Sequence, residues 1–316
     1  ITTYDSNRIN REIHGYQGKM ANRKVCFSTD NMQTFSDFEI LKDTPRNMYS
    51  LYIDDLIDIT EKTSIQIGAK YDHYSDVDNQ LSPRLALVHR YDNENIYKFM
   101  YTHSYREPSW REQYLNVPAF FSSTADVKAE TVDAYELGYI RKINLHDHIK
   151  VNAYYLRNKD QIHAQNPTHT FNNAGDNNLY GFEIEYKNEF TNSDKFYFTY
   201  SYVHGKNVAD ELASSSSNLA NAYYIHNLNN AISISTIAKF IDEKSRIASD
   251  TRNNVDSYTL IDLSLDYRKK PSDININLSI KNLLDEDYYL PSPVGTYPDD
   301  FKQQGRSVLI SIRKKL

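Results

Sequence analysis

Apolar and polar side chains alternate with a period of two over most of this chain. Residues 274–281 read Ile, Asn, Ile, Asn, Leu, Ser, Ile, Lys, so one face of the segment is aliphatic and the other is polar. Residues 257–267, 180–187 and 307–313 alternate in the same way. This period is typical of β-strands, whose successive side chains point to opposite faces, and almost no helical period is sustained. The sequence therefore predicts an all-β chain.

The alternating segments form about fourteen strands. We place them at residues 1–13, 46–59, 63–74, 80–91, 95–105, 132–142, 148–164, 178–190, 195–206, 223–236, 238–248, 257–268, 273–284 and 305–315. Short turns are predicted at 60–62, 92–95, 144–147, 191–194 and 269–273, and longer loops at 14–45, 106–131, 166–177, 207–221, 249–256 and 285–305. Short turns at one end and long loops at the other are typical of an antiparallel up-and-down meander whose rims face different compartments.

Strand length and aromatic content favour a transmembrane β-barrel over a soluble β-sandwich or propeller, which alternation alone also allows. At about 3.3 Å per residue and a tilt near 45°, strands of about ten residues cover the roughly 25 Å apolar band of an outer-membrane barrel. The chain holds 27 Tyr and 13 Phe, and many tyrosines lie near strand ends, as in membrane-interface girdles. The low mean hydropathy of −0.69 fits a barrel, in which only every second strand residue faces lipid.

Composition and motifs exclude several other classes. No run approaches the roughly 18 apolar residues of a membrane helix. The formal net charge of −6 gives no basic surface for nucleic acid, and the single cysteine, Cys26, allows neither an internal disulfide nor a cysteine-rich site. Since there is no G-x-S-x-G, P-loop or H-E-x-x-H motif, we expect no enzyme activity, no catalytic residues, no metal site and no cofactor.

Six short motifs follow one another along the chain. They are Ser82-Pro83-Arg84, Tyr105-Arg106-Glu107-Pro108-Ser109, the segment from Val127 to Gly138, the segment from Asn178 to Glu183, the segment from Lys281 to Tyr288, and the segment from Gly305 to Ile310. In this order they resemble the S-P-R, F-R-A-P-S, L-K-P-E-x-x-x-x-Y-E-L-G, N-x-x-G-x-E, N-L-F-D-x-x-Y and terminal G-R elements of TonB-dependent outer-membrane receptors. Each motif is weak alone, but six in order make the resemblance specific from residue 46 onward.

The resemblance implies the outer membrane of a Gram-negative bacterium. Such receptors have a 22-stranded barrel that is filled by an N-terminal plug, so we expect residues 1–316 to be a C-terminal portion of the barrel domain without the plug. Outer-membrane lipid would surround this portion, and the TonB complex would act through a plug outside this chain. The start at Ile1 and an end at Leu316, where the family usually has an aromatic residue, lead us to expect a truncated or separately encoded part.

The motifs also select residues for structural roles. These are Gly138, Gly181, Glu183, Asn282, Asp285, Tyr288, Gly305 and Arg306. We expect the two mid-strand glycines to face inward, where a missing side chain permits close approach of a plug or sharper curvature. The aspartate before Tyr288 predicts a turn in which its carboxylate accepts backbone N–H groups. We expect Arg306 to pair with an inward acid such as Glu183 or Glu136.

Ligand contacts in such receptors come from the long-loop rim, so we look there for cations and aromatic rings. The candidates are Arg106, Trp110, Arg111, Tyr114, His163, His169, Phe171, Tyr223, Tyr224, His226 and Tyr297. These side-chain types suit an anionic, planar chelator such as a ferric siderophore. Haem is disfavoured, because residues 106–132 contain no histidine and no N-P-N-L element. Asp299 and Asp300 beside Tyr297 favour a solvated acidic loop tip over a cation site.

Three functions are compatible with the sequence. The first is import of a scarce metal chelate with energy supplied through TonB. The second is a passive porin or adhesin-type barrel, and the third is a soluble carbohydrate-binding β-protein. The third requires the aliphatic faces to be packed inside a folded core rather than against lipid.

Overall fold

The structure is a computed structural model. It describes the backbone of residues 10–19, 23–25, 38–41, 45–114, 122–123, 126–165, 170–173, 175–190, 193–205, 214–269, 274–295 and 297–314. Side chains are described in the same ranges except at residues 10–45, 122–123, 165 and 269.

The described residues form 21 strands and one short helix, which we number in chain order. They are β1 (Asn10–Lys19), β2 (Arg23–Val25), β3 (Phe38–Leu41), β4 (Pro45–Thr60), β5 (Thr63–Tyr74), β6 (Gln80–Arg90), β7 (Asn95–Arg106), α1 (Trp110–Tyr114), β8 (Ser122–Ser123), β9 (Glu130–Lys142), β10 (Asp147–Lys159), β11 (Ile162–Gln165), β12 (Thr170–Asn173), β13 (Asn177–Asn188), β14 (Asp194–Gly205), β15 (Asn218–Asn227), β16 (Ile232–Ile241), β17 (Tyr258–Lys269), β18 (Ile274–Lys281), β19 (Tyr289–Leu290), β20 (Phe301–Lys302) and β21 (Ser307–Lys314).

Fourteen of these strands form one sheet whose order follows the chain, β1-β4-β5-β6-β7-β9-β10-β13-β14-β15-β16-β17-β18-β21. Three small sheets lie in the long connections: β11-β12-β8, β19-β20 and β2-β3. No helix in the described part of the chain is long and apolar enough to cross a membrane. The predicted all-β meander is thus confirmed.

The connections alternate in length as predicted. Short ones occupy residues 61–62, 91–94, 143–146, 189–193, 228–231 and 270–273, and long ones occupy 20–44, 107–129, 160–176, 206–217, 242–257 and 282–306. The connection at 75–79 is short but belongs to the long-loop end of the strands. We call the two ends of the strands the short-turn end and the long-loop end.

Two predicted strands near the middle of the second half are wrong. Instead of 223–236 and 238–248, the strands are β15 and β16, and a turn lies between them at 228–231. Asn229 forms this turn, because its Oδ1 accepts the backbone N–H groups of Ala231 (2.8 Å) and Ile232 (3.0 Å). Residues 228–231 read Leu-Asn-Asn-Ala, so the alternation breaks there, and the prediction missed this two-asparagine turn signal.

Two other strand limits also differ. The strand predicted at 148–164 ends at Lys159, because Asp160 adopts a positive φ of 54° and the chain restarts as β11 in a separate sheet. The first strand is β1, which shares residues 10–13 with the strand predicted at 1–13 and continues to Lys19 into the predicted loop, while residues 1–9 lie outside the described residues.

The chain divides into two compact units. The first comprises Ile1–His89, Lys98–Glu136 and Tyr155–Asn178, and the second comprises Arg90–Tyr97, Leu137–Tyr154 and Leu179–Leu316.

In the first unit, the polar face of the sheet is buried and the aliphatic face is exposed. Ser50 of β4 lies opposite Asp72 of β5, and they are only 3% and 0% exposed. The neighbouring outward pair, Leu51 and Tyr71, is 50% and 43% exposed. A soluble sheet shows the reverse, because burial of apolar surface is what stabilises it.

The second unit shows the same inversion. In β18, Ser279 is 7% exposed whereas its neighbour Leu278 is 36% exposed. In β21, the alternating aliphatic residues Ile310 and Ile312 are 64% and 70% exposed. The isoleucines and leucines are therefore not sealed between packed layers in this unit.

The close contacts of Gly181 explain why this position has no side chain. A Cβ atom there would overlap the carbonyl oxygen of Tyr202 on β14 and lie 2.5 Å from the hydroxyl of Tyr154. The close approach is thus made by strands of the same sheet. Gly138 lies in β9 and is half-buried.

Asn282 and Asp285 shape the turn after β18, and both have positive φ angles, 49° and 58°. The Asn282 side chain accepts the N–H of Glu286 (2.9 Å) and donates to its carbonyl (2.8 Å). Tyr288 follows and its ring lies 4.6 Å from that of Tyr258, measured between centroids.

The carboxylate of Asp285 joins this turn to the start of β21. Its Oδ1 accepts the backbone N–H of Arg306 (2.7 Å), 21 residues away, whereas the N–H of Glu286 inside the turn is accepted by Asn282. Arg306 forms its ion pair with Asp285 (Nη2 to Oδ2, 3.9 Å), so the predicted pairing with Glu183 or Glu136 is wrong. Gly305 allows Asp285 to approach the start of β21, since a Cβ at this position would lie only 2.9 Å from Asp285 Oδ1.

Candidate functional site

The loop after β7 begins with a short helix that is capped by its own side chains. Ser109 precedes α1, and its Oγ accepts the N–H of Glu112 (3.3 Å). In return, Glu112 Oε2 accepts the N–H and the hydroxyl of Ser109 (2.8 and 2.9 Å). This reciprocal pattern is a capping box, which fixes the start of a helix.

Arg106, at the end of β7, is fully engaged in ion pairs. Its Nη1 and Nη2 donate to both carboxylate oxygens of Glu112 (2.8 and 3.0 Å), and its Nε donates to Glu130 (2.7 Å). Glu130 also accepts the N–H of Ile162 in β11 (2.7 Å). Burial alone would raise the pKa of the Glu112 carboxyl, but the hydrogen bonds from Arg106 and Ser109 outweigh burial and lower it. Arg106 is 46% exposed, but its ion pairs join two segments of the first unit, the loop at Glu112 and the start of β9 at Glu130.

Arg46, at the start of β4, anchors the other side of α1. Its guanidinium is 4% exposed, and its Nε lies 2.8 and 2.9 Å from the two carboxylate oxygens of Asp76. Its Nη2 donates to Gln113 Oε1 (2.6 Å), and its Cζ lies 4.8 Å from the Trp110 ring centroid. Tyr114 donates to Asp76 as well (3.1 Å). Nothing in the sequence pattern singled out Arg46, Asp76 or Gln113.

An exposed cation and a histidine remain on the surface of this loop cluster. Arg111 is exposed, and its Cζ lies 5.7 Å from the ring centroid of the buried Phe171. His163 in β11 is also exposed, with Nε2 3.4 Å from Gln161 Oε1. Both residues lie in the first unit on the long connections 107–129 and 160–176. His169 lies outside the described residues.

A cavity of about 560 Å³ opens beside the Arg46 cluster. It is lined by residues 75–78, by Gln113 and by residues 126–128. Among the described residues, no three His, Cys, Asp or Glu side chains are arranged to hold a metal ion.

In the second unit, two arginines and two aspartates join the loop 242–257 to the last loop. The Arg246 guanidinium lies 3.4 Å from Asp250 and 2.5 Å from Asp300, and its side chain is 6% exposed. Arg252 pairs with Asp250 (2.7 Å) and donates to Ser292 Oγ and O (2.8 and 2.9 Å). We call these five residues the loop brace. Asp300 is thus an internal ion-pair partner and not part of a solvated acidic tip.

Tyr297 and Lys244 lie on these same two loops. Tyr297 is 48% exposed and stacks on Phe301 at 5.5 Å between ring centroids. Lys244 is buried, its Nζ lies 4.7 Å from the Tyr258 ring centroid, and burial lowers the pKa of its ammonium group. Of the two, only Tyr297 presents an open surface.

The placement of Tyr223, Tyr224 and His226 at the long-loop end is wrong. Because β15 begins at Asn218, these residues lie towards its short-turn end. Tyr224 OH and His226 Nδ1 both lie 2.6 Å from Asp194 Oδ1, at the start of β14. This arrangement is typical of an interfacial aromatic residue with a polar anchor.

Comparison with known proteins identifies the family. The sequence profile described as TonB dependent receptor-like, beta-barrel matches residues 14–283. The chain therefore belongs to the TonB-dependent receptor family. Among curated protein sequences, none matches this chain.

Solved structures show the same fold at low sequence identity. The ferric enterobactin receptor PfeA of Pseudomonas aeruginosa, in complex with BCV-L6, matches with a TM-score of 0.73 and 16% identity, over 85% of this chain and 45% of that one. The siderophore receptor PirA of Acinetobacter baumannii matches with a TM-score of 0.71 and 17% identity, over 85% of this chain and 45% of PirA. The ferric-catecholate import receptor Fiu of E. coli K12 matches with a TM-score of 0.71 and 15% identity, over 85% of this chain and 44% of Fiu. The chain thus spans less than half the length of these receptors.

Proposed function

We propose that residues 1–316 form a barrel portion of an outer-membrane receptor that imports a metal chelate with energy from TonB. The chelate class that we favour is a ferric siderophore. The observation that carries this proposal is the family match over residues 14–283. The names of the similar structures, which are siderophore receptors, support the ligand class. A family of receptors also gives no reason to expect an enzyme.

In this proposal the ligand contacts the long-loop end. Of the sequence candidates at that end, Arg106, Arg111 and His163 are exposed in the first unit, and Tyr297 is exposed in the second. Arg106, Trp110, Tyr114 and Phe171 have structural contacts and would act by holding the loop in place.

Uptake of radioactive ferric siderophores tests the proposal. A strain that expresses the full-length gene should accumulate iron, and deletion of TonB should abolish this accumulation. Arg111→Gln in the full-length protein should weaken uptake, whereas Arg141→Gln, an exposed arginine near the short-turn end of β9, should leave it unchanged. Uptake that is equal without TonB would instead support a passive porin.

A further inference from the structure

Two buried side-chain oxygens at the short-turn end of the second unit have no hydrogen-bond partner. They are Oδ1 of Asp147, the first residue of β10, and Oδ1 of Asn188, the last residue of β13. Asn188 is only 5% exposed, and Asp147 forms no ion pair with any residue that the structure describes. A buried acceptor without a partner is unfavourable, and more so when it carries a charge. A ligand that supplies this partner is therefore expected here.

The two side chains lie opposite each other on neighbouring strands. In the sheet, β10 is next to β13, and the N–H of Glu189 donates to the carbonyl oxygen of His146 (3.1 Å). Antiparallel pairing in this register places Asp147 opposite Asn188, one position along from the hydrogen-bonded pair. The Cα atoms of such a non-hydrogen-bonded pair are only about 4.5 Å apart, so the two side chains are close neighbours.

The pair lies on the outward face of the sheet. Along β13, Asn188 is on the same face as Tyr186, whereas the charged Lys187 is on the opposite face. On its other side, Asn188 is opposite Phe196 of β14, whose ring offers no hydrogen-bond donor. A partner for the amide oxygen must therefore come from the side of Asp147.

The turn before β10 fixes the carboxylate of Asp147. Asn144 Nδ2 donates to Asp147 Oδ2, while Asn144 Oδ1 accepts the backbone N–H groups of His146 and Asp147 (2.7 and 2.9 Å). These contacts use one carboxylate oxygen and leave the other, Oδ1, for a ligand that Asn188 can share.

We propose that Asp147 and Asn188 form a binding site for a calcium ion, to which each contributes its Oδ1 atom. Ca²⁺ binds carboxylate and amide oxygens at about 2.3–2.6 Å and tolerates irregular geometry, whereas Mg²⁺ demands a nearly ideal octahedron. Water completes the coordination shell. Because the protein supplies only two ligands and one negative charge, the dissociation constant should be on the order of 10⁻³ M. This inference does not depend on the ligand that the receptor imports.

Terbium luminescence tests the site on the full-length receptor in detergent, after metal ions have been removed with EDTA. Tb³⁺ replaces Ca²⁺ at oxygen sites, and Tyr186, on the same face as Asn188, can excite its emission. In wild type, millimolar calcium should displace the terbium. Asp147→Asn should weaken terbium binding at least about 10-fold, because the site loses its only charge. Asn188→Asp should strengthen it by a similar factor, because a second carboxylate is added. The control Asn221→Asp, at an exposed position of β15, should bind like wild type.

Two results would overturn the proposal. Equal terbium binding by wild type and Asp147→Asn would show that the carboxylate is not a ligand. Binding by Asn188→Asp that is no tighter than that of wild type would indicate that the Asn188 amide instead donates its Nδ2 hydrogen to Asp147. Circular dichroism of each variant shows that it is folded, so a change in binding can be assigned to the site. A wild-type receptor that takes up its ligand but fails these tests would refute the calcium site alone.

Discussion

Arg46 and Arg106 hold the same short helix through different partners. Arg46 contacts Trp110 and Gln113, whereas Arg106 binds Glu112. One arginine comes from the start of β4 and the other from the end of β7, so the helix is fixed to two separate strands. The exposed Arg111 next to these contacts is therefore presented on a rigid support.

Arg46→Gln should destabilise the first unit. Removal of one partner from a buried ion pair leaves the other charge uncompensated, which costs about 3 kcal/mol, and Asp76 would lose this partner. The control Arg111→Gln, at an exposed position, should change the free energy of unfolding by less than about 0.5 kcal/mol. Urea unfolding in detergent measures both values, and similar values for the two variants would contradict the assignment of Arg46 as an anchor.

The loop brace should respond to acid. Hydrogen bonds from Arg252 hold the pKa of Asp250 well below its usual value near 3.8. Burial raises the pKa of Asp300, but hydrogen bonds from Arg246 and the Ser292 N–H outweigh burial and lower it. A carboxyl with a lowered pKa stabilises the fold above its unfolded pKa, and this contribution is lost as pH falls through the folded pKa. The contribution of the brace should thus be full at neutral pH, begin to fall below about pH 4 and be lost only well below that pH.

A nitroxide at Thr251 reports this change through its mobility. In wild type the label should be immobile at pH 7 and become mobile only as the pH falls far enough below about 4 for the two carboxyls to take up protons. In Asp250→Asn it should be mobile already at pH 7, because the carboxylate that binds Arg252 is absent. A spectrum of the wild type that stays unchanged across this range would rule out the brace as the element that holds the loops.

At the scale of elements, close packing of β10, β13 and β14 depends on one glycine. In Gly181→Ala the new methyl group meets the backbone of Tyr202, which cannot move independently of its strand. In the matched change Gly68→Ala it meets only the side chains of Asp54 and Arg84 (2.7 and 2.8 Å). Overpacking costs about 1–3 kcal/mol, so we expect about 2 kcal/mol or more for Gly181→Ala and less for Gly68→Ala. Urea titration of refolded protein tests this order, and the reverse order would contradict it.

The strands were predictable where apolar alternation and turn residues agree. The limits of β5, β6 and β7 fall within one residue of those predicted, because polar turns bound these strands. The shift at β15 and β16 arose because the prediction ran a strand through the two asparagines at 229–230, although the Asn229 side chain forms a turn there. Period-two patterns fix the face of each residue, but they do not fix where a strand ends.

The site was less predictable than the strands. Arg46 and Gln113 are 67 residues apart in the chain, and Arg246 and Asp300 are 54 apart. Such contacts follow from strand order and loop path, which the local sequence does not encode. Arg106 matched a family motif and was predicted as a ligand residue, but its partners are Glu112, in the helix after that motif, and Glu130, in the next motif along the chain.

At the scale of the whole molecule, the distribution of exposed side chains is the reverse of that in a soluble β-protein. In each unit most buried positions on the sheet are polar, apart from Tyr74 and Tyr258, and many of the large exposed side chains are aliphatic or aromatic. Hydrocarbon can cover such a surface only if backbone groups are satisfied within the sheet, as they are in a β-barrel. The family match and the exposed aliphatic faces thus both indicate that lipid hydrocarbon surrounds the outward face of the sheet.

Nitroxide scanning along β18 tests this environment most directly. With Cys26 replaced by serine, single cysteines at Ile274 to Lys281 would be labelled in the full chain after reconstitution into bilayers. Labels at Ile276, Leu278 and Ile280 should collide with lipid-soluble oxygen, and those at Asn275, Asn277 and Ser279 should collide with a water-soluble nickel chelate. Aliphatic positions that are inaccessible to both reagents would instead place them in a packed protein core and contradict the assignment to an outer-membrane barrel.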